Sequence, residues 1–136
     1  MEIVVEQAQG RVPVTVVQLR GELDASNYQD VIAKTKEAYD DGARNLLLDL
    51  GDLSFMASSG LVALHSVALI MRGDEPPDPE HGWGAFRTMD KEKETGLEEH
   101  CKILNPQPPV DKALQLTGFK AYLEVYTDLD AALASF

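Results

Sequence analysis

Asn45-Leu46-Leu47-Leu48-Asp49-Leu50-Gly51-Asp52-Leu53-Ser54-Phe55-Met56-Ala57-Ser58-Ser59-Gly60-Leu61 is the stretch whose reading decides the fold. Its first six residues form a short, nearly continuous apolar run that stops at Gly51. Such a run suits a central strand covered on both faces. A short loop follows, and the pattern from Ser58 to Arg72 is helical. Leu61, Leu64, His65, Ala68 and Leu69 fall on one face, and Gly73 is the stop. The helix therefore begins with two serines. A helix N-terminus carries unpaired N–H groups and the positive end of the dipole, so it favours a phosphate. A serine there either caps the helix, the commoner role, or accepts a phosphoryl group that the dipole stabilises.

Upstream, residues 2–7 and 12–20 read as two strands joined by a turn at Gln9-Gly10. Pro13 cannot donate to a ladder, which places that strand end at an edge or a bulge. Ser26 to Asp41 reads as a helix. Ser26 with Gln29 matches a capping box, and Gly42 stands where a terminating glycine belongs. Downstream, Lys102 to Asn105 is a short strand, and Pro108-Pro109 opens a helix that Gly118 ends. Tyr122 to Tyr126 is a strand, and Thr127 with Asp130 starts a last short helix. Alternating strands and helices after an opening hairpin predict an α/β domain: a mixed, mostly parallel sheet packed with about four helices. The 45–50 strand is expected at its centre.

The chain has 136 residues, enough for one domain with a real core, and 44% are hydrophobic, a globular composition. Its net charge of −11 repels phosphate backbones and anionic lipid, which argues against nucleic acid and membrane surfaces as partners. The longest apolar stretch, Leu61 to Met71, is too short to span a bilayer, and the opening residues lack a secretory signal's basic region. The single cysteine, Cys101, allows no intrachain disulfide, and no spacing of His81, His100 and Cys101 supports a metal site. The expectation is a soluble, cytoplasmic protein without cofactor or metal.

Residues 73–100 hold 9 acids against 3 bases, with Pro76, Pro77, Pro79 and several glycines. They show no sustained periodicity and read as an acidic, mobile insertion in which Trp83 to Phe86 form an aromatic patch. Residues 90–94 read as a solvated charge run.

Two catalytic readings fit poorly. Met56 to Gly60 mimics a nucleophile elbow, but the leading glycine is missing and no histidine is suitably placed. Asp49 and Asp52 suggest an aspartyl-phosphate receiver, but the opening residues supply no acidic cluster and form a hairpin. No enzymatic activity is expected.

Three local matches point elsewhere. Gly21 to Asn27 (GELDASN), Leu46 to Leu61, and Val110 to Phe119 followed by Tyr126 to Leu133 occur in order and at the right spacing. In these the chain resembles a STAS domain of the anti-sigma factor antagonist family. The resemblance implies one STAS domain over 1–136, interrupted at about 73–100, that works as a non-enzymatic partner switch. Members bind an anti-sigma factor serine kinase and free the sigma factor; phosphorylation by the kinase breaks the complex, and a serine phosphatase resets it. The family's phosphorylated serine falls on Ser58, with Ser59 as the fallback acceptor. The implied partner-binding rim comprises Asp24, Ser26, Asn27, Met56, Ser59, Gly60 and Leu61. The chain departs from the family pattern at Ala57, where an acid is usual, at Val62, often glycine, and in the insertion. The alternative is an unphosphorylated STAS scaffold or accessory subunit of a signalling or lipid-transport assembly.

Overall fold

In the computed structural model, which describes residues 1–74 and 97–136, the leucine run lies inside strand β3 (Leu46–Met56). The elements preceding it are β1 (Glu2–Gln9), β2 (Pro13–Leu23) and α1 (Tyr28–Asp40). After it come α2 (Ser58–Met71), β4 (Cys101–Leu104), α3 (Pro108–Leu116), a 3₁₀ turn (Phe119–Ala121), β5 (Val125–Tyr126) and α4 (Leu129–Ala134). The strands form one sheet in the order β1-β2-β3-β4-β5, antiparallel between β1 and β2 and parallel thereafter. The fold is thus the expected mixed α/β arrangement, with β3 in the middle.

β3 shows why a continuous apolar run is needed there. Leu46, Leu48 and Leu50 enter the larger core with Val31 of α1, Leu64 of α2 and Leu114 of α3. Leu47 points into a second core with Val14, Val16 and Leu104, closed by Ala132 and Leu133 of α4. Among the described residues, three helices therefore cover one face of the sheet and a short one covers part of the other.

Several boundaries differ from the sequence reading. β3 does not end at Gly51. Its pairing with β2 shifts register between Gln18 and Arg20 and again between Gly21 and Glu22, each time with an extra residue on β3. These bulges absorb Gly51 and Ser54, so strand replaces the expected loop up to Met56. Pro13 opens β2, which is an internal strand; at its first position the missing N–H costs no ladder bond beyond the terminus. α1 starts at Tyr28 rather than Ser26, and Ser26 makes no capping box, because Asp24 takes its amide and hydroxyl instead. Gly42, at φ +113°, ends that helix as expected. α2 is buried from Gly60 through Met71 on all sides, not on one face, and His65 is fully buried against the Tyr122 ring. Tyr122 and Leu123 are drawn into the core behind the 3₁₀ turn, which leaves only Val125–Tyr126 as strand. The cap of α4 is Asp128, which accepts from the Ala131 amide at 3.0 Å, rather than Thr127.

Most of the expected insertion (75–96), including Trp83 to Phe86 and the 90–94 charge run, lies outside the described residues. At its two ends Arg72 stands 3.7 Å from the buried Glu98. Burial pushes the Glu98 carboxyl above its ordinary pKa, with Arg72 opposing the shift.

Candidate functional site

The C-terminal ends of β2 and β3 lie side by side, and one hydrogen bond closes them. The Ala57 amide donates to the Leu23 carbonyl at 2.8 Å. Chain direction then sends the residues after Leu23 into a tight turn and the residues after Ala57 into α2. The ends of adjacent parallel strands form a common place for a binding site in open α/β sheets.

The turn 22–27 is held by its own side chains. The Asp24 carboxylate accepts from the Ser26 amide at 2.9 Å and the Ser26 hydroxyl at 2.6 Å. Asn27 accepts from the Asp24 amide at 2.9 Å and donates to the Glu22 carbonyl at 2.8 Å. The hydrogen bond from the Ser26 hydroxyl, then that from its amide, holds the Asp24 carboxyl below its ordinary pKa, so it is ionised at neutral pH. Such local side-chain bonding fixes the turn while competing with helix, which explains the late start of α1.

Ser58 is the first residue of α2 and is exposed; Ser59 is half-buried. Neither serine caps the helix, because the cap position belongs to Ala57, which has no polar side chain. The Ser58 hydroxyl thus stands at the positive end of a 14-residue helix. Gly60 lets that helix sit down on the strand ends. A Cβ there would lie 2.4 Å from Met56 Cγ and 3.1 Å from Leu23 Cγ.

Of the residues singled out from the sequence, the structure brings Asp24, Ser26, Asn27, Ser58 and Ser59 together on this rim. Met56, Gly60 and Leu61 lie buried beneath it. Phe55, which falls in the short loop expected before α2, instead lies on β3 and is 48% exposed at this strand end. No feature of the sequence separates it from its buried neighbours, because the bulge that turns it outward leaves no residue signature of its own.

On the rim the Ser26 hydroxyl bonds the Asp24 carboxylate within the turn, and the two described histidines lie elsewhere. His65 is buried within α2, and His100 lies near the start of β4, with Nδ1 3.0 Å from Asn45 Oδ1. Asp49 accepts from the Gly51 amide, and Asp52 is engaged by Gln18 and Arg20. A cavity of about 580 Å³ lies at the opposite end of the sheet, bordered by Thr15, Lys34 and Arg44. No helix among the described residues is long and apolar enough to cross a membrane.

Comparison with known proteins agrees with this architecture. An anti-sigma factor antagonist from Mycobacterium paratuberculosis superposes with a TM-score of 0.67 at 20% identity, over 98% of this chain and 92% of that one. The anti-sigma factor antagonist SpoIIAA in its unphosphorylated form gives 0.59 at 24% identity, over 96% and 93%. The Bacillus cell fate determinant SpoIIAA in the phosphorylated form gives 0.54 at 23%, over 96% of each chain. These likenesses establish the fold. No curated protein sequence matches the chain. The family model for the STAS domain matches residues 4–72, from β1 to the end of α2, the half of the chain that builds the stapled turn and the serine helix. The chain belongs to the STAS domain family.

Proposed function

We propose that this protein is an anti-sigma factor antagonist that regulates transcription in a bacterial cytoplasm by phosphorylation-dependent binding to an anti-sigma factor serine kinase. The observation that carries the reading is the exposed, uncapped Ser58 hydroxyl at the start of α2, on the same rim as the 22–27 turn. Asp24, Ser26, Asn27 and Ser59 would meet the kinase, with Met56, Gly60 and Leu61 supporting them from below. A phosphoryl group on Ser58 adds about −1.5 to −2 charges at a helix N-terminus. The dipole tolerates that charge, so the fold survives. The interface does not, because the same charge would have to be buried there. Dissociation follows, and a serine phosphatase restores the binding form.

Ala57 favours a second reading. It places no acid beside the acceptor, so an unphosphorylated STAS scaffold in a signalling or lipid-transport assembly is the alternative. Incubating the protein with the anti-sigma serine kinases of its own genome and ATP, then mapping phosphate by mass spectrometry, separates the two. Modification at Ser58, or at Ser59 as fallback, supports the switch. An unmodified chain moves the scaffold to first place.

A further inference from the structure

We propose that Phe55 is the apolar anchor of the partner interface, seated in an apolar pocket on the kinase that is bordered by a basic residue opposite Glu22. This inference rests on the partner-binding reading above. In β3 the other large apolar residues are withdrawn from water: Leu46, Leu47, Leu48, Leu50 and Leu53 are fully buried and Met56 is 7% exposed, whereas Phe55 is 48% exposed. It is therefore the one residue of the central strand that keeps substantial apolar surface in solvent, and it stands three positions before Ser58.

The backbone around it is fixed. The Ser54 hydroxyl donates to the Gly21 carbonyl at 3.0 Å, and the Ala57 amide donates to Leu23. An aromatic side chain with few rotatable bonds on a rigid strand loses little entropy on docking, which is the property of interface hot spots. Phe55 pairs in register with Glu22. Every formal charge of the rim segments 22–27 and 52–60 is negative: Glu22, Asp24 and Asp52. Asp52 is already engaged by Arg20 at 3.6 Å, which leaves Glu22 as the acid beside the anchor. Phe55 stands on the strand end that leads into α2, so a partner seated on it approaches the Ser58 end of the sheet, where a phosphate that lost its hydration would be costly. The anchor thus makes the contact sensitive to charge at Ser58.

The test is calorimetric titration of the full chain with each anti-sigma serine kinase of its genome, with phosphorylation followed in parallel. Phe55→Ala is expected to weaken binding by ~30-fold or more, as hot-spot truncations do. Phe55→Leu should keep most of the affinity. Val5→Ala, an exposed apolar residue on β1, should change nothing. Glu22→Gln should reduce the salt dependence of association. A Phe55→Ala protein that unfolds at the wild-type temperature yet binds within about threefold of wild type overturns the anchor alone. A wild-type chain that binds none of the kinases overturns the partner reading and the anchor with it. Should Phe55→Ala prove unfolded, the Glu22→Gln titration decides, and an unchanged salt dependence overturns the proposal.

Discussion

Ala57 and Leu23 are joined by a single backbone hydrogen bond of 2.8 Å, and everything on the rim is positioned from it. Asp24 is the next residue on one side and Ser58 the next on the other. Since both strand ends are held by their ladders, the turn and the helix start are brought to one place by the sheet, before any partner is present.

The seating of α2 depends on the absent side chain at position 60. A methyl group there would meet Met56 Cγ at 2.4 Å and Leu23 Cγ at 3.1 Å. Gly60→Ala should therefore destabilise the protein by about 1–3 kcal/mol through overpacking, despite alanine's better helix propensity. Chemical denaturation measures this directly. A stability equal to or above that of wild type would mean that the first turn of α2 is not pressed against the strand ends.

The turn 22–27 predicts a titration. Asp24 has a depressed carboxyl pKa, caused first by the Ser26 hydroxyl. A depressed folded-state pKa contributes stability above the ordinary carboxylate value, which is lost as pH falls through the folded one. Ser26→Ala should return the Asp24 pKa toward its ordinary value and shrink that acid-side loss. Carboxyl NMR titration of both proteins checks it, and an unmoved Asp24 would show that Ser26 does not hold the turn.

Lys102 is a buried cation whose ammonium group donates to the Ser135 carbonyl at 2.9 Å and to its hydroxyl at 3.1 Å. It binds the last turn of α4 to β4 and lies over the Phe136 ring at 5.0 Å. Lys102→Met should lose about 1.5–3 kcal/mol, the range for hydrogen bonds to a charged group. Hydrogen exchange should rise first in α4. If α4 stays as protected as in wild type, Lys102 does not hold it.

Glu98 works with the opposite sign to Asp24. Burial raises its pKa, so its contribution favours folding below the ordinary carboxylate value and declines as pH rises through the raised one. Comparing denaturation of wild type and Glu98→Gln across this range isolates it. The difference in stability should move toward the variant as pH rises, and a difference independent of pH would rule out the buried, shifted carboxyl.

The sequence carried the fold further than the site. NLLLDL identified the central strand because burial on both faces demands unbroken apolar residues. What followed was hidden for a physical reason: Gly51, Asp52 and Ser54 have turn chemistry, yet paired bulges let strand run on through them. The Ser26–Gln29 spacing misled in the same way. A nearer acceptor, Asp24, takes the serine's donors and delays the helix. The place of Ser58 at the head of α2 was legible in the helical pattern, whereas the roles proposed for Ser58 and Asp24 come only through family resemblance. Phe55 was not legible, because exposure of one residue in an apolar strand is a tertiary outcome.

The central claim is that charge at Ser58 controls partner binding. Its most direct measurement is the affinity of wild type, Ser58→Ala and Ser58→Asp for the anti-sigma factor serine kinases of its genome. Burying an unpaired charge costs several kcal/mol, and each ~1.4 kcal/mol is tenfold in affinity. Ser58→Asp should therefore bind at least ~100-fold more weakly, while Ser58→Ala binds like wild type and blocks modification at that position. Equal binding by Ser58→Asp and wild type would contradict the account.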